Sequence, residues 1–408
     1  LDALLTAARL LRSGVTCVVD VHGGGGEAED YESRLAQALA AYEQAGIRVA
    51  LAAGFTERSH LVAGEGEDQR FLARLPPAVR RLAERELPDA TAMGEDEYFG
   101  VMESLWQRYR DHPRIDLWFG PPGAQWVSDT FMERIAEQAE RYDTGIQTHL
   151  TESIHEKIDG ERSYGKPTLL HLRDLGVLSP RFSVAHGVWL TEAEIDVLAE
   201  TGAAVSHNPS SNLRLRAGIA PLNAFLARGA TVALGMDGMG LNDDDDMFTE
   251  MRLALRLNRT PLLNAPAPRP ADVLHMATGG GARLIRKADR LGKLAPGYAA
   301  DLVLIDLDRI TWPWIAPEAD PRELLMMRAQ VRDVDTVLID GEVVLGGGNP
   351  TRFDAEEAGR ELGRILTAHP YPARAAEMVE RLLPHVESHY AAWGTPDLDP
   401  YIRYNSKR

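Results

Sequence analysis

Four short apolar runs in this chain each end on a residue that can hold a metal or move a proton. Gly-Ile-Gln-Thr leads to His149, Val-Ala to His186, Val-Ser to His207 and Ala-Leu-Gly-Met to Asp237. A neutral imidazole offers a ligand nitrogen and titrates near neutrality, and a carboxylate serves as ligand or proton acceptor. Glu152 lies three residues past His149, and Asn208 directly follows His207. Taken singly, each has an ordinary structural explanation: a satisfied buried histidine, an exposed acid, a turn-forming Asp before Gly238. Delivered by four separate runs to one rim, these polar, metal-capable residues form a constellation rather than isolated features.

The runs belong to a regular order. Apolar or β-branched stretches at 15–20, 47–53, 115–120, 145–149, 182–186, 203–207 and 231–237 alternate with helical patterns such as 31–45, 129–141 and 192–201. Strand, helix, strand repeated in this way gives a parallel sheet with helices outside it, because the crossover is right-handed. The expected fold class is α/β: a (β/α)8 TIM-like barrel with a small composite β-domain. Barrel chemistry sits at the C-terminal ends of the strands, where the His and Asp residues fall. Only seven strands are counted, so the first is expected to be absent. The chain opens on Leu1 inside an amphipathic pattern (Leu4, Leu5, Ala8, Leu11) that lacks a start signal.

The barrel is assigned to 1–288, the C-terminal part of the β-domain to 289–350 and a helical tail to 351–408. Within the β-domain, Asp340-Gly341 between apolar runs reads as a hairpin turn in 334–345. A Pro- and charge-rich stretch at 75–94 reads as a long loop or small helical lid that gates entry.

Composition narrows the partners. The 408 residues carry 44 basic and 61 acidic side chains, a formal charge of -17 with no basic block to offset it, which argues against nucleic acid. Cys17 is the single cysteine, so an intramolecular disulfide is excluded and a reducing, cytoplasmic setting is expected. No apolar run has the length of a membrane span.

Four segments taken together resemble the amidohydrolase superfamily: Gln-Thr-His149-Leu-Thr-Glu152, Val-Ala-His186-Gly-Val-Trp-Leu, Val-Ser-His207-Asn208-Pro-Ser-Ser-Asn212 and Ala-Leu-Gly-Met-Asp237-Gly. The stretch from Ala277 through Asp301-Leu-Val-Leu is similar to that family's entry into its β-domain. The branch is the one holding S-adenosylhomocysteine/methylthioadenosine, cytosine and guanine deaminases and the triazine hydrolases. The resemblance implies a hydrolytic deaminase of an amino-substituted nitrogen heterocycle, with that small molecule and water as its partners; barrels with an exposed β-domain often pair, so a homo-oligomer is expected. It implies one divalent metal, zinc first and Fe2+ or Mn2+ as alternatives, held by His149, Asp237 and a His-x-His pair that this chain does not contain. Such a metal lowers the pKa of bound water from about 15.7 towards 7. Asp237 would take the water's proton, Glu152 would protonate the ring nitrogen and the leaving amine, and His186 would stabilise the attacking oxygen. His207 and Asn208 would shape the pocket, and Trp189 would stack on the heterocycle or pack between helix and strand.

The chain also departs from the family. The strand near 117 runs on into Gly120-Pro121-Pro122-Gly123 where many adenosine-type deaminases have Gly-Pro-His, and it lacks the lysine of binuclear relatives. A mononuclear site and an altered pocket, with Gln125 and Trp126 as candidates, are therefore expected. Asp243 to Asp246 precede a helix at 247–257 and suit its N-terminus. Gly23 to Gly26 lack the Lys-Ser/Thr of a phosphate loop. A chlorohydrolase or N-alkylaminohydrolase of triazine-like rings, or an inert relative lacking two ligands, are the alternatives.

Overall fold

The computed structural model describes residues 1–58, 61–64, 66–87, 92–238, 240–242, 244–259, 263–370 and 372–394. Seven parallel strands run in sequence order: β1 (Cys17–His22), β2 (Arg48–Ala53), β3 (Ile115–Phe119), β4 (Ile146–Leu150), β5 (Phe182–His186), β6 (Ala204–His207) and β7 (Thr231–Leu234). They curl into a half-barrel whose edges are β1 and β7. Every residue of β2 and β5 is buried, as expected for parallel strands covered on both faces.

Strand alternation divides the core in two. Val49, Leu51, Phe182, Val184 and Val205 face outward, against Leu35, Leu39, Leu105, Phe131 and Ile195 of the surrounding helices. Ala50, Ala52, Trp118, Ala204 and Ala233 face inward, against Leu284, Ile285 and Leu291. The small inward residues leave room for the 282–291 segment.

The second sheet is antiparallel, in the order β11 (Asn349–Pro350), β10 (Glu342–Gly346), β9 (Val334–Ile339), β8 (Leu302–Ile305). Its hairpin turns at Asp340 and Gly341, both with positive φ (52° and 78°), the conformation the Asp-Gly pair favours. Arg48, buried at the start of β2, joins the two sheets: Nε donates to Asp301 Oδ2 at 2.7 Å and Nη2 to Asp301 Oδ1 at 3.1 Å.

The Pro-rich stretch is helical where it is described, at Pro77–Glu86 and just before it at Glu67–Arg74; residues 88–91 of the expected lid lie outside the described residues. The tail helix Ala373–Ala391 packs on this segment. Met378 and Leu382 join Val62, Phe71, Leu75, Leu82 and Ala83 in a satellite core, and the Ala63 N–H donates to Tyr390 Oη at 2.9 Å. At the helix Met247–Leu257, Asp246 caps the N-terminus through Phe248 N at 2.8 Å, and Asp245 pairs with Arg9. Asp243 lies outside the described residues.

Candidate active site

His149 points inward from β4. Its Nδ1–H donates to the Pro122 carbonyl at 2.8 Å, which leaves Nε2 as the free nitrogen. Burial, followed by the nearby His186, lowers its pKa, so the ring is neutral and fit to ligate. The chain then turns through Thr151 (φ 46°) to Glu152. Both of their N–H groups donate to the buried Glu156, at 2.7 and 2.8 Å, and Ser153 caps the helix Ile154–Tyr164 by accepting from Glu156 N. Glu156 thus fastens the turn that carries Glu152.

His186 ends β5 with φ 72°, and Asp237 follows β7 with φ 60°. Positive φ is uncommon for any residue other than glycine, although Asp and His adopt it more readily than most, and such backbone gathers where side chains must be aimed. Nδ1 of His186 lies 2.8 Å from Asn212 Oδ1, and its Nε2 lies 3.8 Å from Glu152 Oε2 and 4.0 Å from Asp237 Oδ2. Asp237 accepts from Gly238 N through Oδ1, at 2.8 Å, and from Ser211 Oγ through Oδ2. Burial lowers the pKa of His186 and raises that of Glu152. Glu152 therefore holds a proton more readily than an exposed carboxyl does.

A short helix, Pro209–Arg214, anchors the far side. Ser210 bonds Glu250, Ser211 bonds Asp237 and Asn212 bonds His186. Asn208 reaches His186 Nδ1 at 3.5 Å. These residues approach β7 so closely that a Cβ on Gly235 would lie 2.2 Å from Asn208 Oδ1.

The structure thus brings His149, Glu152, His186, Asp237 and Asn208 together. His207 does not join them: alternation places it with Val205 on the helix-covered face, 1% exposed, with no hydrogen-bond partner among the described residues for either ring nitrogen. Burial holds its pKa down at about 4. Trp189 packs against the outer core, and its Nε1–H donates to Ala217 O at 2.8 Å. Gln125 and Trp126 form a 3-10 turn beside Gly123, which bridges to His149. Sequence reasoning assigned no role to Glu156, Ser211 or Asn212. Ser153-x-x-Glu156 carries the capping-box signature and was the available signal for Glu156. Ser211 and Asn212 had no signal beyond their place in the His-Asn-Pro-Ser-Ser-Asn segment.

The donors suit a divalent metal in kind: one neutral imidazole nitrogen already oriented by a backbone carbonyl, and one carboxylate on the next side of the rim. Their number is smaller than a closed site needs, since among the described residues no three His, Cys, Asp or Glu side chains form a metal-holding group.

The family model for the amidohydrolase family matches residues 2–344. The 5'-deoxyadenosine deaminase of Methanothermobacter thermautotrophicus is 33% identical over 346 residues, 85% of this chain and 71% of that protein. A 5-methylthioadenosine/S-adenosylhomocysteine deaminase of Nitratidesulfovibrio vulgaris is 37% identical over 267 residues, 65% of this chain but only 59% of its own length. Among solved structures, an adenosine deaminase from Xanthomonas campestris with bound zinc superposes with TM-score 0.74 at 30% identity, covering 90% of this chain and 74% of that one. The atrazine chlorohydrolase of Arthrobacter aurescens TC1, complexed with zinc, gives 0.76 at 24% identity over 90% and 77% of the two chains, a likeness of fold. With a matching family model over most of its length, the chain belongs to the amidohydrolase family.

Proposed function

We propose that this protein is a hydrolytic deaminase that replaces the amino group of a nitrogen heterocycle by oxygen and releases ammonia, with adenine-bearing nucleosides as the first substrate class to test. The observation that carries this reading is the convergence of Glu152 and Asp237 on His186 Nε2, at 3.8 and 4.0 Å, beside a neutral His149. The printed activities of the adenosine-type relatives support the substrate class.

His149 Nε2 and the Asp237 carboxylate would hold the single divalent metal, zinc before iron or manganese. When bound, that ion supplies a water of lowered pKa. The Asp237 carboxylate, steadied by Ser211 and Gly238, accepts a proton from the attacking water. His186 holds that water in a hydrogen bond at Nε2. Glu152, carrying its proton, delivers it to the ring nitrogen as the new C–O bond forms. Asp237 then passes the proton it took from water to the amino nitrogen, the C–N bond breaks and ammonia leaves, and the remaining hydroxyl proton of the adduct returns to Glu152 as the C=O bond forms.

The assignment of 1–288 as barrel, 289–350 as β-domain and 351–408 as tail belongs to the same proposal, as do a cytoplasmic location and self-association. Among the described residues no helix is long and apolar enough to cross a membrane. Turnover in 18O-labelled water tests the reaction: the product should gain one labelled oxygen per ammonia released. Release of chloride or an alkylamine in place of ammonia would assign the chain to ring dehalogenation or dealkylation instead.

A further inference from the structure

His186 is 1% exposed, its Nε2 faces Glu152 and Asp237, and the group opposite its Nδ1 therefore determines which way Nε2 works. Two amides face Nδ1: Asn212 presents Oδ1 at 2.8 Å and Asn208 presents Nδ2 at 3.5 Å. The first distance is that of a full hydrogen bond and the second is at the limit of one. The shorter contact requires the hydrogen on Nδ1, since an amide oxygen only accepts. We infer that Asn212 is a positioning residue that locks His186 as the Nδ1-protonated tautomer and so turns a lone pair at Nε2 towards the space between Glu152 and Asp237.

Three features support the lock. Asn212 is 1% exposed, so water does not compete for its oxygen. It sits on the helix Pro209–Arg214, whose neighbouring Ser211 holds Asp237 and whose Ser210 holds Glu250, so three side chains in a row fix one short helix against the site. The left-handed φ of His186 aims the ring at the site and leaves Asn212 as the partner behind it. The consequence is directional. A water lying against Nε2 donates a hydrogen to it, and its oxygen lone pairs remain available for attack. The opposite tautomer would tie up a lone pair of the attacking oxygen. That consequence rests on the proposed hydrolysis, whereas the tautomer itself does not.

The test separates the two. In the full-length chain labelled with 15N-histidine, two-bond 1H–15N spectra of His186, assigned by its loss in His186→Gln, report which nitrogen carries the hydrogen. The Nδ1–H pattern is expected in the wild type and in Asn212→Asp, which keeps an acceptor opposite Nδ1. In Asn212→Leu it should give way to Nε2–H or to a mixture. Where ammonia release is present, Asn212→Leu should lower kcat by about 10–100-fold with KM unchanged, and Asn212→Asp should recover most of it. An Nε2–H pattern in the wild type, or an unchanged pattern in a folded Asn212→Leu protein, would overturn the inference. Absence of ammonia release with the expected spectra would overturn the deaminase reading and leave the tautomer lock standing.

Discussion

The imidazoles of His149 and His186 lie nearly parallel, with ring centroids 5.4 Å apart and 21° between their planes. Strand register alone would not put them there. His149 pairs with Ala185, and His186 pairs with Leu150, whose side chain faces the helices. Regular continuation of β5 would send His186 outward beside Leu150. The left-handed backbone at His186 turns its ring inward.

Asp237→Asn should separate chemistry from folding. Asn tolerates the left-handed region, so urea unfolding should change by no more than about 1 kcal/mol, whereas ammonia release should fall by about 10^2–10^4-fold. Asp237→Val should lose stability as well, because a β-branched side chain is strained at positive φ.

Gly235 is held by space. A Cβ there would meet Asn208 Oδ1 at 2.2 Å and Ser206 Oγ at 2.7 Å. Gly235→Ala should cost about 1–3 kcal/mol in urea unfolding and reduce kcat, because Asn208 has to move from beside His186.

Two buried groups should pull the pH dependence of stability in opposite directions. His207 has a folded pKa of about 4 against an ordinary value of 6.5, so its contribution is fully present above pH 6.5 and is lost as pH falls towards 4, by about 3 kcal/mol. Glu156 is pushed up to about 7 by burial, against the hydrogen bonds from Thr151 and Glu152. Its protonated form is favoured in the fold, so its contribution is present below the unfolded value near 4.5 and is lost as pH rises through 7. Unfolding free energies across this range should show the acid-side loss flattened in His207→Leu and the neutral-side loss flattened in Glu156→Gln. Glu156→Gln should also lower kcat, since it replaces one of the two oxygens that separately accept from Thr151 N and Glu152 N with an NH2 that only donates.

The tail helix is expected to hold the entry segment in place. Leu382→Asp puts a charge into the satellite core formed with Phe71 and Leu82. Amide exchange should quicken over 61–87 while β2 to β6 stay protected. If the segment gates entry, KM should rise in the same variant; an unchanged KM after deletion of 75–94 would contradict gating.

The strand ends were legible because a parallel barrel repeats one pattern, and a His or Asp closing an apolar run stands out against it. His149, His186 and Asp237 were singled out in this way, and Glu152 as the acid three residues past His149. His207 ends its strand by the same rule but faces the helices, and telling the two faces apart takes the alternation of the whole strand with Val205. The left-handed turns at His186 and Asp237 were hidden, because His and Asp, although enriched in that region, adopt it in only a minority of positions. The tail was unreadable because its partners at 62–83 lie about 300 residues away, and such contacts leave no local period. The helix Pro209–Arg214 was too short to show a face, so its three anchoring side chains appeared only with the fold.

The most direct measurement is ammonia release by the metal-replete full-length protein supplied with 5'-deoxyadenosine and related aminopurines, aminopyrimidines, pterins and triazines. Release from an amino-substituted ring by the wild type, abolished in both Glu152→Gln and Asp237→Asn, is the predicted result. Absence of ammonia from every ring, or release that survives both substitutions, would contradict it.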